Sequence, residues 1–552
     1  MMSSQQPANT SPWSPLRQRV FRALWIASVA SNIGTWMQNV GAAWLMTSLA
    51  PSPSMVALVQ AATTLPVFLL ALLAGALADV VDRRRLLLVT QSWMLFAAAL
   101  LGALTFIGAT TPWVLLALTF ALGLGVAMNG PAWQAIIPEL VTRNDLHAAV
   151  ALNGVGFNLA RAVGPALGGL IVAIAGSGAV FLLNAASFVG VVIVLYRWPR
   201  SPSESRSPAE DVVGAMRAGL RYVRHAPDLR AVLVRSGVFI FCGAALWALL
   251  PLLARNELGL GATGYGVLLG CLGAGAVLGA AVLPRVQKKL PVDSLIAAAS
   301  LLFAAATFIP AYVQNFAFLC AAMIAGGSAW MALMSSFNVS AQTAVPAWVR
   351  ARSLSLYLLV IQGGMAGGSV LWGVVAEWVG IPMALLIAAL GLVVGITVAV
   401  RYPLRAEGEV DLTPSMHWPD PQMPIEPHPR RGPVLVTVEY LIAAEESREF
   451  AQVMRAMRQQ RLRDGALRWG LFHDPATPAK YLETFIVESW AEHMRQHERV
   501  TVTDRVIENR ALAFHIGDKP PIVSHLISAY SLDDETDEET LLNSDQTKPA
   551  ES

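Results

Sequence analysis

The chain has 552 residues, of which 55% are hydrophobic and only 14% are charged. Soluble domains carry about 25% charged residues, so this composition excludes a string of water-soluble domains and indicates a protein embedded in lipid. The charge is divided unevenly: residues 1–405 hold 24 Lys and Arg against 11 Asp and Glu, whereas residues 406–552 hold 15 against 26. A basic membrane part followed by an acidic part is therefore predicted.

Twelve apolar segments long enough to cross a bilayer are predicted between residues 20 and 401, because a span needs about 20 apolar residues. One long connection divides them into two bundles of six, residues 1–198 and residues 231–405. We therefore expect an all-α membrane protein with twelve transmembrane helices. The predicted segments are residues 20–45, 55–78, 86–107, 113–131, 148–175, 178–197, 231–254, 262–284, 293–313, 316–338, 353–378 and 381–401.

Basic residues are concentrated in every second connection between these segments. The remaining connections contain a single basic residue, Arg255. Basic loops stay on the cytoplasmic side of a membrane, so both ends of the chain are predicted to be cytoplasmic, in a multi-pass protein of the cytoplasmic (inner) membrane. The residues that set this orientation are Arg17, Arg19, Arg22, Arg83, Arg84, Arg85, Arg143, Arg200, Arg206, Arg217, Arg221, Arg224, Arg285, Lys288, Lys289, Arg350, Arg352, Arg401 and Arg405.

The long middle connection, residues 199–230, has an amphipathic pattern of its own. Apolar residues recur at helical spacing, opposite basic ones, which indicates a helix with one apolar face. The helix could lie along the inner membrane surface or pack on the ends of the bundles, and the sequence does not decide between these positions. The pattern is formed by Val212, Val213, Met216, Leu220 and Val223, opposite Arg217, Arg221 and Arg224.

Beyond residue 405 the sequence changes character. Residues 406–433 contain seven prolines and are predicted to be a linker. Residues 434–516 are predicted to form a small soluble α+β domain on the cytoplasmic side, and residues 517–552 an acidic, disordered tail. Within the domain, strands are expected at 434–441, 467–473 and 481–487, and helices at 443–463, 490–497 and 501–513.

A short loop between the second and third segments combines glycine, aspartate and arginine. Asp79 can accept hydrogen bonds at the positive end of a neighbouring helix, and the arginines can anchor to the inner membrane surface. This order of residues resembles the glycine–aspartate–arginine loop of the major facilitator superfamily, a family of two-bundle secondary transporters. The resemblance implies a gating loop that latches the bundles together on the inner side, formed by Gly75, Asp79, Asp82, Arg83, Arg84 and Arg85.

The fifth segment contains closely spaced small residues around one proline. Gly164 and Gly168 favour tight helix packing, and Pro165 loosens the helix between them. The stretch is similar to the antiporter motif of the same superfamily, which marks exporters, although Ala160 stands where that motif opens with glycine. Ordinary helix packing explains the glycines equally well, so export rests on the resemblance. The matching residues are Arg161, Gly164, Pro165, Gly168 and Gly169.

Arg161 is a charge near the middle of a predicted span, where it costs roughly 2.5–3.5 kcal/mol on insertion scales. Such a residue is expected to face a cavity or a partner. It could contact an acidic or carbonyl-rich substrate, or it could form a structural bond to Asn153, Asn158 or a carbonyl group. The residues predicted to line a substrate path are Asn32, Gln38, Asn129, Asn158, Arg161 and Gln362.

Several chemical features are missing from the sequence. No carboxylate falls at the centre of a predicted span, so a proton is expected as the coupling ion from the superfamily alone. No G-x-x-x-x-G-K-[ST] phosphate loop is present, which argues against an ATP-driven pump, and no cofactor or catalytic residue is expected. His493 and His497 are one helical turn apart, but Met494 replaces the glutamate of the zinc-binding H-E-x-x-H pattern, so a histidine pair without metal is predicted.

Three stretches sharpen the resemblance: residues 32–38, 138–141 and 158–169. Together they resemble the enterobactin-exporter-like branch of the superfamily, a group of bacterial transmembrane secretion effectors that export drugs or siderophores. Residues 434–516 resemble the dimeric ferredoxin-like α/β barrels of antibiotic-biosynthesis monooxygenases, most clearly at Trp490 and His493.

These resemblances imply a secondary transporter and not an enzyme. It is expected to export siderophore- or drug-like small molecules by proton antiport with alternating access. The expected partners are the substrate, the lipid bilayer, protons and a second copy bound through the C-terminal domain, with no nucleic acid. The alternative is a membrane-tethered monooxygenase-like enzyme, or a ligand sensor, acting through residues 434–516.

Overall fold

The computed structural model describes residues 11–198, 221–404, 411–418, 428–429 and 431–529. Contacts divide the chain into two compact units. The first comprises residues 1–212, 231–342 and 354–406, and the second comprises residues 213–230, 343–353 and 407–552. Residues 213–230 and 343–353, which the sequence places between predicted membrane helices, therefore belong to the same unit as the C-terminal residues. The predicted amphipathic helix of the middle connection lies outside the described residues, except for residues 221–225, which are helical.

The membrane part of the chain consists of long helices joined by short turns. They are α1 (Arg19–Leu49), α2 (Pro53–Val80), α3 (Arg83–Phe106), α4 (Pro112–Leu140), α5 (Leu146–Arg197), α6 (Pro227–Leu252), α7 (Ala262–Gln287), α8 (Val292–Phe308), α9 (Phe316–Thr343), α10 (Ala347–Val379) and α11 (Ile381–Ile396). A π-helical turn, Leu253–Glu257, follows α6, and a short helix, α12 (Val398–Arg401), follows α11.

Local sequence explains where several of these helices begin. Ser52, Asp82 and Thr111 precede α2, α3 and α4, and each side chain accepts a hydrogen bond from a backbone N–H of the first turn. Such caps satisfy donors that have no partner within the helix. Pro53 and Pro112 then occupy the first helical position, where a missing N–H costs nothing.

Helix α5 changes direction at Gly176. This glycine has φ 78° and ψ 169°, a backbone conformation that interrupts the helix. Side chains with a Cβ rarely adopt such a positive φ, so glycine is the residue that permits the break. The sequence predicted two segments that meet between residues 175 and 178, and the break confirms that boundary.

Among the described residues, ten helices are long and apolar enough to cross a membrane. The whole of residues 143–197 is counted once in this number, and α1 is not included. The predicted segments lie within the observed helices, apart from differences of a few residues at their ends. The chain is therefore a mostly helical, multi-pass membrane protein with a small C-terminal sheet.

The sheet belongs to the second unit. Its elements are β1 (Val434–Leu441), α13 (Ser447–Asp464), β2 (Arg468–His473), β3 (Lys480–Val487), α14 (Trp490–Arg499), α15 (Val502–Leu512) and β4 (Ile522–Ile527). The strand order is β2-β3-β1-β4, and all neighbours are antiparallel. Side chains alternate along β1, so Val434, Val436, Val438 and Tyr440 are buried on one face. Phe450, Met454 and Met457 of α13 are buried within the same unit.

Two predicted domain boundaries are wrong. The domain does not end at residue 516, because β4 pairs with β1 along Ile522–Ile527. Residues 411–418 of the predicted linker also belong to the folded unit: Ser415 N donates to Val500 O at 2.9 Å, and Trp418 Nε1 donates to a carboxylate oxygen of Glu508 at 2.9 Å. The proline content predicted a free linker. The hydrogen bonds of Ser415 and Trp418 instead attach residues 411–418 to the folded unit.

Candidate functional site

A cavity of about 790 Å³ lies within the first unit. Both halves of the helical part contribute to its wall, α1 to α5 from one half and α6, α7, α9 and α10 from the other. The predicted path residues Asn32, Asn129, Asn158, Arg161 and Gln362 all line it. Five of the six predicted path residues therefore lie at this cavity, whose polar wall also contains residues that were not predicted, such as Gln60 and Gln91.

Gln38 is a correction to that prediction. It is not among the lining residues, and its side chain is only 5% exposed. Its Oε1 accepts a hydrogen bond from Asn184 Nδ2 at 2.5 Å, which joins α1 to the second part of α5. The amide therefore serves helix packing and not the cavity.

Arg161 lies between two indole rings at the cavity wall. Its guanidinium carbon is 5.9 Å from the ring centre of Trp36 on α1 and 5.8 Å from that of Trp247 on α6. These distances allow cation–π attraction from both sides. Trp36 belongs to the first half and Trp247 to the second, so one cation contacts both halves.

The structural bonds that could have occupied Arg161 are not formed. Asn158 Nδ2 donates to Gly154 O at 2.9 Å, and Asn153 Oδ1 accepts from Trp133 Nε1 at 3.3 Å. Arg161 Nε is buried without a hydrogen-bond partner. Arg161 therefore forms neither of the bonds to Asn153 and Asn158 that were the structural alternative to a substrate contact.

The rest of the wall is uncharged and combines polar side chains with apolar ones such as Val56, Val59 and Met94. Among the described residues that line the cavity, Arg161 is the only one with a formal charge at pH 7. Indoles and amides supply most of the polar groups, and such mixed surfaces suit amphipathic molecules with both ring systems and polar groups. They are Trp36, Trp133, Trp247, Trp330, Asn32, Asn39, Gln60, Gln91, Asn129, Gln134, Asn153, Asn158 and Gln362.

The glycines of the antiporter-like motif bring α5 against two other helices. A Cβ on Gly164 would lie 3.1 Å from Ile33 O, and one on Gly168 would lie 2.8 Å from Met37 Cα, both on α1. A Cβ on Gly169 would lie 2.9 Å from Gly266 Cα, on α7. Only glycine permits such short distances between helices. Helix α5 therefore packs closely against α1 of its own half and against α7 of the other half.

Pro165 adds a freed carbonyl group to this contact. Proline has no N–H, so the carbonyl of Arg161, four residues earlier, has no donor within the helix. Gly273 of α7 comes directly against that carbonyl oxygen. The backbone next to Arg161 is thus part of the contact between the halves.

The two halves are also joined where α1 ends and α2 begins. Arg255 Nη1 donates to Thr47 Oγ1 at 2.9 Å and to Ser48 Oγ at 2.6 Å. The hydroxyl of Ser52 donates to the carboxylate of Glu377, near the C-terminal end of α10. Three polar contacts therefore connect the halves at this end.

The arginines of the predicted gating loop bind within their own half. Arg83 pairs with Glu139 at 2.9 Å, and the two donors of Arg84 reach the carbonyls of Leu195 and Tyr196 at 2.7 and 2.6 Å. Asp82 caps α3 by accepting from Arg85 N at 2.8 Å.

The remaining two residues of the predicted gating loop are Asp79 and Gly75. The side chain of Asp79 lies outside the described residues. No described residue lies within 4 Å of a Cβ placed on Gly75, so no helix in the described part of the chain packs closely against it.

The second unit is held together by a charged cluster around Glu492. This carboxylate accepts from Arg499 Nη1 at 2.6 Å and from Arg221 Nη2 at 3.1 Å. Burial alone would raise the pKa of Glu492, but the hydrogen bond and charge of Arg499, with Arg495 and Arg221, hold its pKa below the usual value. Arg499 also lies 4.3 Å from the ring centre of Trp348. Residues from both short inserted segments therefore bind α14.

Histidines pack against aromatic rings on the other side of α14. His493 is 1% exposed, and its ring centre is 4.8 Å from that of His525 and 5.0 Å from that of His497. Burial, followed by the charges of His525 and His497, lowers the pKa of His493 to about 3. In the described part of the chain, no group of three His, Cys, Asp or Glu side chains is arranged to hold a metal ion.

Comparison with known proteins decides the family. The model of the transmembrane secretion effector family, a branch of the major facilitator superfamily, matches residues 10–532. The chain belongs to this family. The match runs through the helical part and through the C-terminal sheet, so this transporter carries both parts as one family architecture.

Curated relatives of this secretion effector are transporters. It is 26% identical over 357 residues to the Staphyloferrin A transporter of Staphylococcus aureus (strain NCTC 8325 / PS 47), covering 63% of this chain and 87% of the relative. It is 24% identical over 399 residues to the multidrug efflux pump Tap of Mycolicibacterium fortuitum, covering 69% and 95%.

Solved structures show the same transporter fold. A bacterial homologue of the iron transporter ferroportin, in an inward-facing state, has a TM-score of 0.54 at 15% identity, covering 70% of this chain and 99% of that one. A bacterial homologue of the human lysosomal transporter Spinster, inward-facing and occupied, has a TM-score of 0.55 at 16% identity, covering 71% and 98%.

Sequence reasoning about this transporter missed the two indoles beside Arg161. A signal was available for Trp36. On a helix, residues three or four apart share a face, so Asn32, Trp36 and Asn39 face one way and Gln38 faces another. For Trp247 no local signal existed, because it lies on a helix 86 residues further along the chain.

Proposed function

We propose that this protein is a secondary active transporter that exports amphipathic small molecules, siderophore- or drug-like, from the cytoplasm. The observation that carries the proposal is the cavity of about 790 Å³ between the two halves, with Arg161 held between Trp36 and Trp247. Relatives named as a Staphyloferrin A transporter and a multidrug efflux pump support the direction and the kind of cargo.

Twelve crossings with both termini in the cytoplasm are part of this proposal. The break at Gly176 supports two crossings within α5, because 52 residues are far more than one span requires. Helix α1 has 31 residues, enough for a further crossing. The basic connections then fall on one side, as the positive-inside rule demands.

Alternating access is the proposed mechanism. In the proposed orientation, the contacts of Arg255 with Ser48 and of Ser52 with Glu377 lie at the outer end of the cavity. Their formation would keep the cavity closed to the outside, and their loss would open it. The glycine contacts of α5 with α7 permit the halves to rock without side chains in between.

Proton antiport is the proposed coupling, supported by the superfamily. The residue that carries the proton is not identified by the cavity wall, because none of the described residues that line it is a carboxylate.

Loss of the gating-loop carboxylate by Asp79→Asn is expected to abolish transport while membrane insertion stays intact. Full activity of that variant would remove the gating role from the loop.

Efflux from proteoliposomes containing the full chain tests the main proposal. A panel of siderophore-like and drug-like compounds would be measured with a pH gradient of either sign and without one. We expect gradient-dependent movement of at least one compound out of the compartment that corresponds to the cytoplasm. If no compound moves under any gradient, the protein is not an exporter of this kind.

The C-terminal unit is proposed to be a ferredoxin-like domain that dimerises. Its β-α-β-β-α-α-β order with strands arranged β2-β3-β1-β4 supports the fold. The sheet face opposite the helices exposes apolar side chains beside the Glu439–Lys480 ion pair: Phe472, Ile522 and Leu526 are 59%, 62% and 55% exposed. A second copy would cover this face, and light scattering of the detergent-solubilised chain, against an Ile522→Lys variant, measures that association.

A regulatory role of this domain is the second candidate function. The pairing of Arg221 with Glu492 and of Arg499 with Trp348 attaches the segment before α6 and the first turn of α10 to one face of α14. A ligand that moves α14 would therefore act on those two segments, as expected of a sensor. Oxygen-dependent turnover of any compound by the protein would instead favour the monooxygenase-like alternative.

A further inference from the structure

Two residues that line the cavity each have a buried hydrogen-bond donor without an acceptor. Arg161 Nε and Trp247 Nε1 are both buried without a partner. They are close to each other, because the guanidinium carbon of Arg161 is 5.8 Å from the ring centre of Trp247. Burial of an unpaired donor is unfavourable, and more so when the donor is charged. A ligand that brings acceptor oxygens to this point would satisfy both groups.

The charge of the wall points to the same kind of ligand. Arg161 is the one formally charged residue among the described lining residues, so no carboxylate of the wall balances it. A cation in a low-dielectric cavity favours a counter-ion. The amides and hydroxyls that make up the rest of the polar wall are neutral. The charge that completes the site must therefore come from the cargo.

We propose that the cargo is an organic acid transported as its anion, with one carboxylate bound by Arg161 and by the indole N–H of Trp247. Guanidinium groups bind carboxylates through two parallel hydrogen bonds. Trp36 and Trp247 also offer ring faces to the non-polar part of such a molecule. The inference rests on the proposed export function and narrows it to one class of substrate.

Matched acid and amide pairs test the inference in proteoliposomes of the full chain. The probes are dansylglycine, 2-naphthoate and citrate, compared with dansylglycinamide, 2-naphthamide and the triamide of citric acid, which keep the shape and remove the charge. Charge-assisted hydrogen bonds differ from neutral ones by enough to expect acids to be exported at least about tenfold faster than amides. The ratio of the two rates is the readout, because it does not depend on how much protein is inserted.

Variants at the two donors separate binding from folding. Arg161→Gln is expected to reduce the acid-to-amide ratio to within about twofold of unity, and Arg161→Lys to restore part of it, because the charge remains. Trp247→Phe keeps the ring, loses the N–H and is expected to lower the ratio by about fivefold. The controls are Arg285→Gln and Trp93→Phe, which change an arginine and an indole outside the lining residues. Both controls should keep the wild-type ratio.

The possible results lead to distinct conclusions. Amides exported as fast as their acids would overturn the inference and leave export standing. An unchanged ratio in Arg161→Gln would also overturn it, because the selectivity would then come from elsewhere. If neither member of any pair moves in the wild-type protein under any gradient, the export function itself fails and the inference falls with it.

Discussion

Glu492 on α14 accepts hydrogen bonds from Arg499, seven residues further along the same chain segment, and from Arg221, 271 residues earlier. The carboxylate side chain is only 10% exposed, so the pairing with these arginines replaces its lost hydration. One residue thus joins α14 to the segment that precedes α6.

Glu492→Gln is expected to loosen the second unit. Neutralising the carboxylate leaves Arg221 and Arg499 with a weaker acceptor, at a cost of about 3 kcal/mol to the unit. Hydrogen–deuterium exchange of the full chain should then rise both in the peptide containing residues 490–499 and in that containing residues 221–225. Glu498→Gln is the matched control, because Glu498 is exposed on the same helix. Equal protection in the two variants would contradict the role of Glu492.

Mild acid is expected to destabilise the second unit through His493. Its folded-state pKa of about 3 lies below the unfolded value near 6.5, so the neutral ring is the folded form. Stability is then complete above pH 6.5 and is lost as pH falls toward 3, by up to about 1.4 kcal/mol per pH unit. His493→Asn should flatten the pH dependence of the protection factors in residues 490–499, which are corrected for the intrinsic change of amide exchange with pH. Wild-type protection factors that stay flat between pH 6.5 and 5 would refute the argument.

A methyl group at the contact between α5 and α7 is expected to impair transport. In Gly169→Ala the new Cβ would lie 2.9 Å from Gly266 Cα, closer than real Cβ atoms approach. The helices must separate, at about 1–3 kcal/mol, and we expect at least a tenfold loss of efflux rate. Gly261→Ala, where a Cβ meets nothing within 4 Å, is the control. Wild-type rates in Gly169→Ala would show that the helices do not stay this close during transport.

Arg255→Gln is expected to open the end of the cavity where α1 meets α2. The variant loses two charge-assisted hydrogen bonds, to Thr47 and Ser48, each contributing about 1.5–3 kcal/mol. Spin labels on residues 50 and 260 would report the change as a shift of the distance distribution toward longer values. Arg285→Gln should leave the distribution unchanged. If both variants behave alike, the contact does not hold this end closed.

Membrane potential is expected to drive export of a monoanion. The described wall carries one positive charge when empty and none when a monoanion is bound, so the returning empty carrier moves positive charge inward. Each elementary charge contributes about 2.3 kcal/mol per 100 mV. Valinomycin-imposed potentials at equal pH on both sides should therefore accelerate export when the inside is negative. A coupled proton would add a dependence on the pH gradient, and a rate indifferent to potential would count against the charge assignment.

Much of the fold follows from local patterns. Runs of about 20 apolar residues fix the helices, and the boundary predicted between residues 175 and 178 coincides with the break at Gly176. The alternation along Val434–Leu441 gave the first strand at its observed bounds. These features depend on neighbours in sequence, which is why sequence alone predicts them.

Features that depend on distant residues could not be predicted. Strand β4 is short, follows Pro520 and Pro521, and precedes an acidic segment, so the local composition did not predict a strand. Its partner β1 lies about 90 residues earlier in the chain. Gln38 was assigned to the cavity because amides in spans favour polar surroundings, but Asn184 on another helix supplies them. The neighbours of Arg161 depend on how α1, α5 and α6 are rotated in the bundle.

The pairing of β4 with β1 also governs how the chain tolerates shortening. A protein ended at residue 516 would leave one side of β1, from Val434 to Glu439, with backbone donors and acceptors open to any extended peptide. Two shortened molecules could then satisfy each other edge to edge and precipitate. A purification tag or a fluorescent reporter is therefore better placed after residue 528 than at the sequence-predicted domain end.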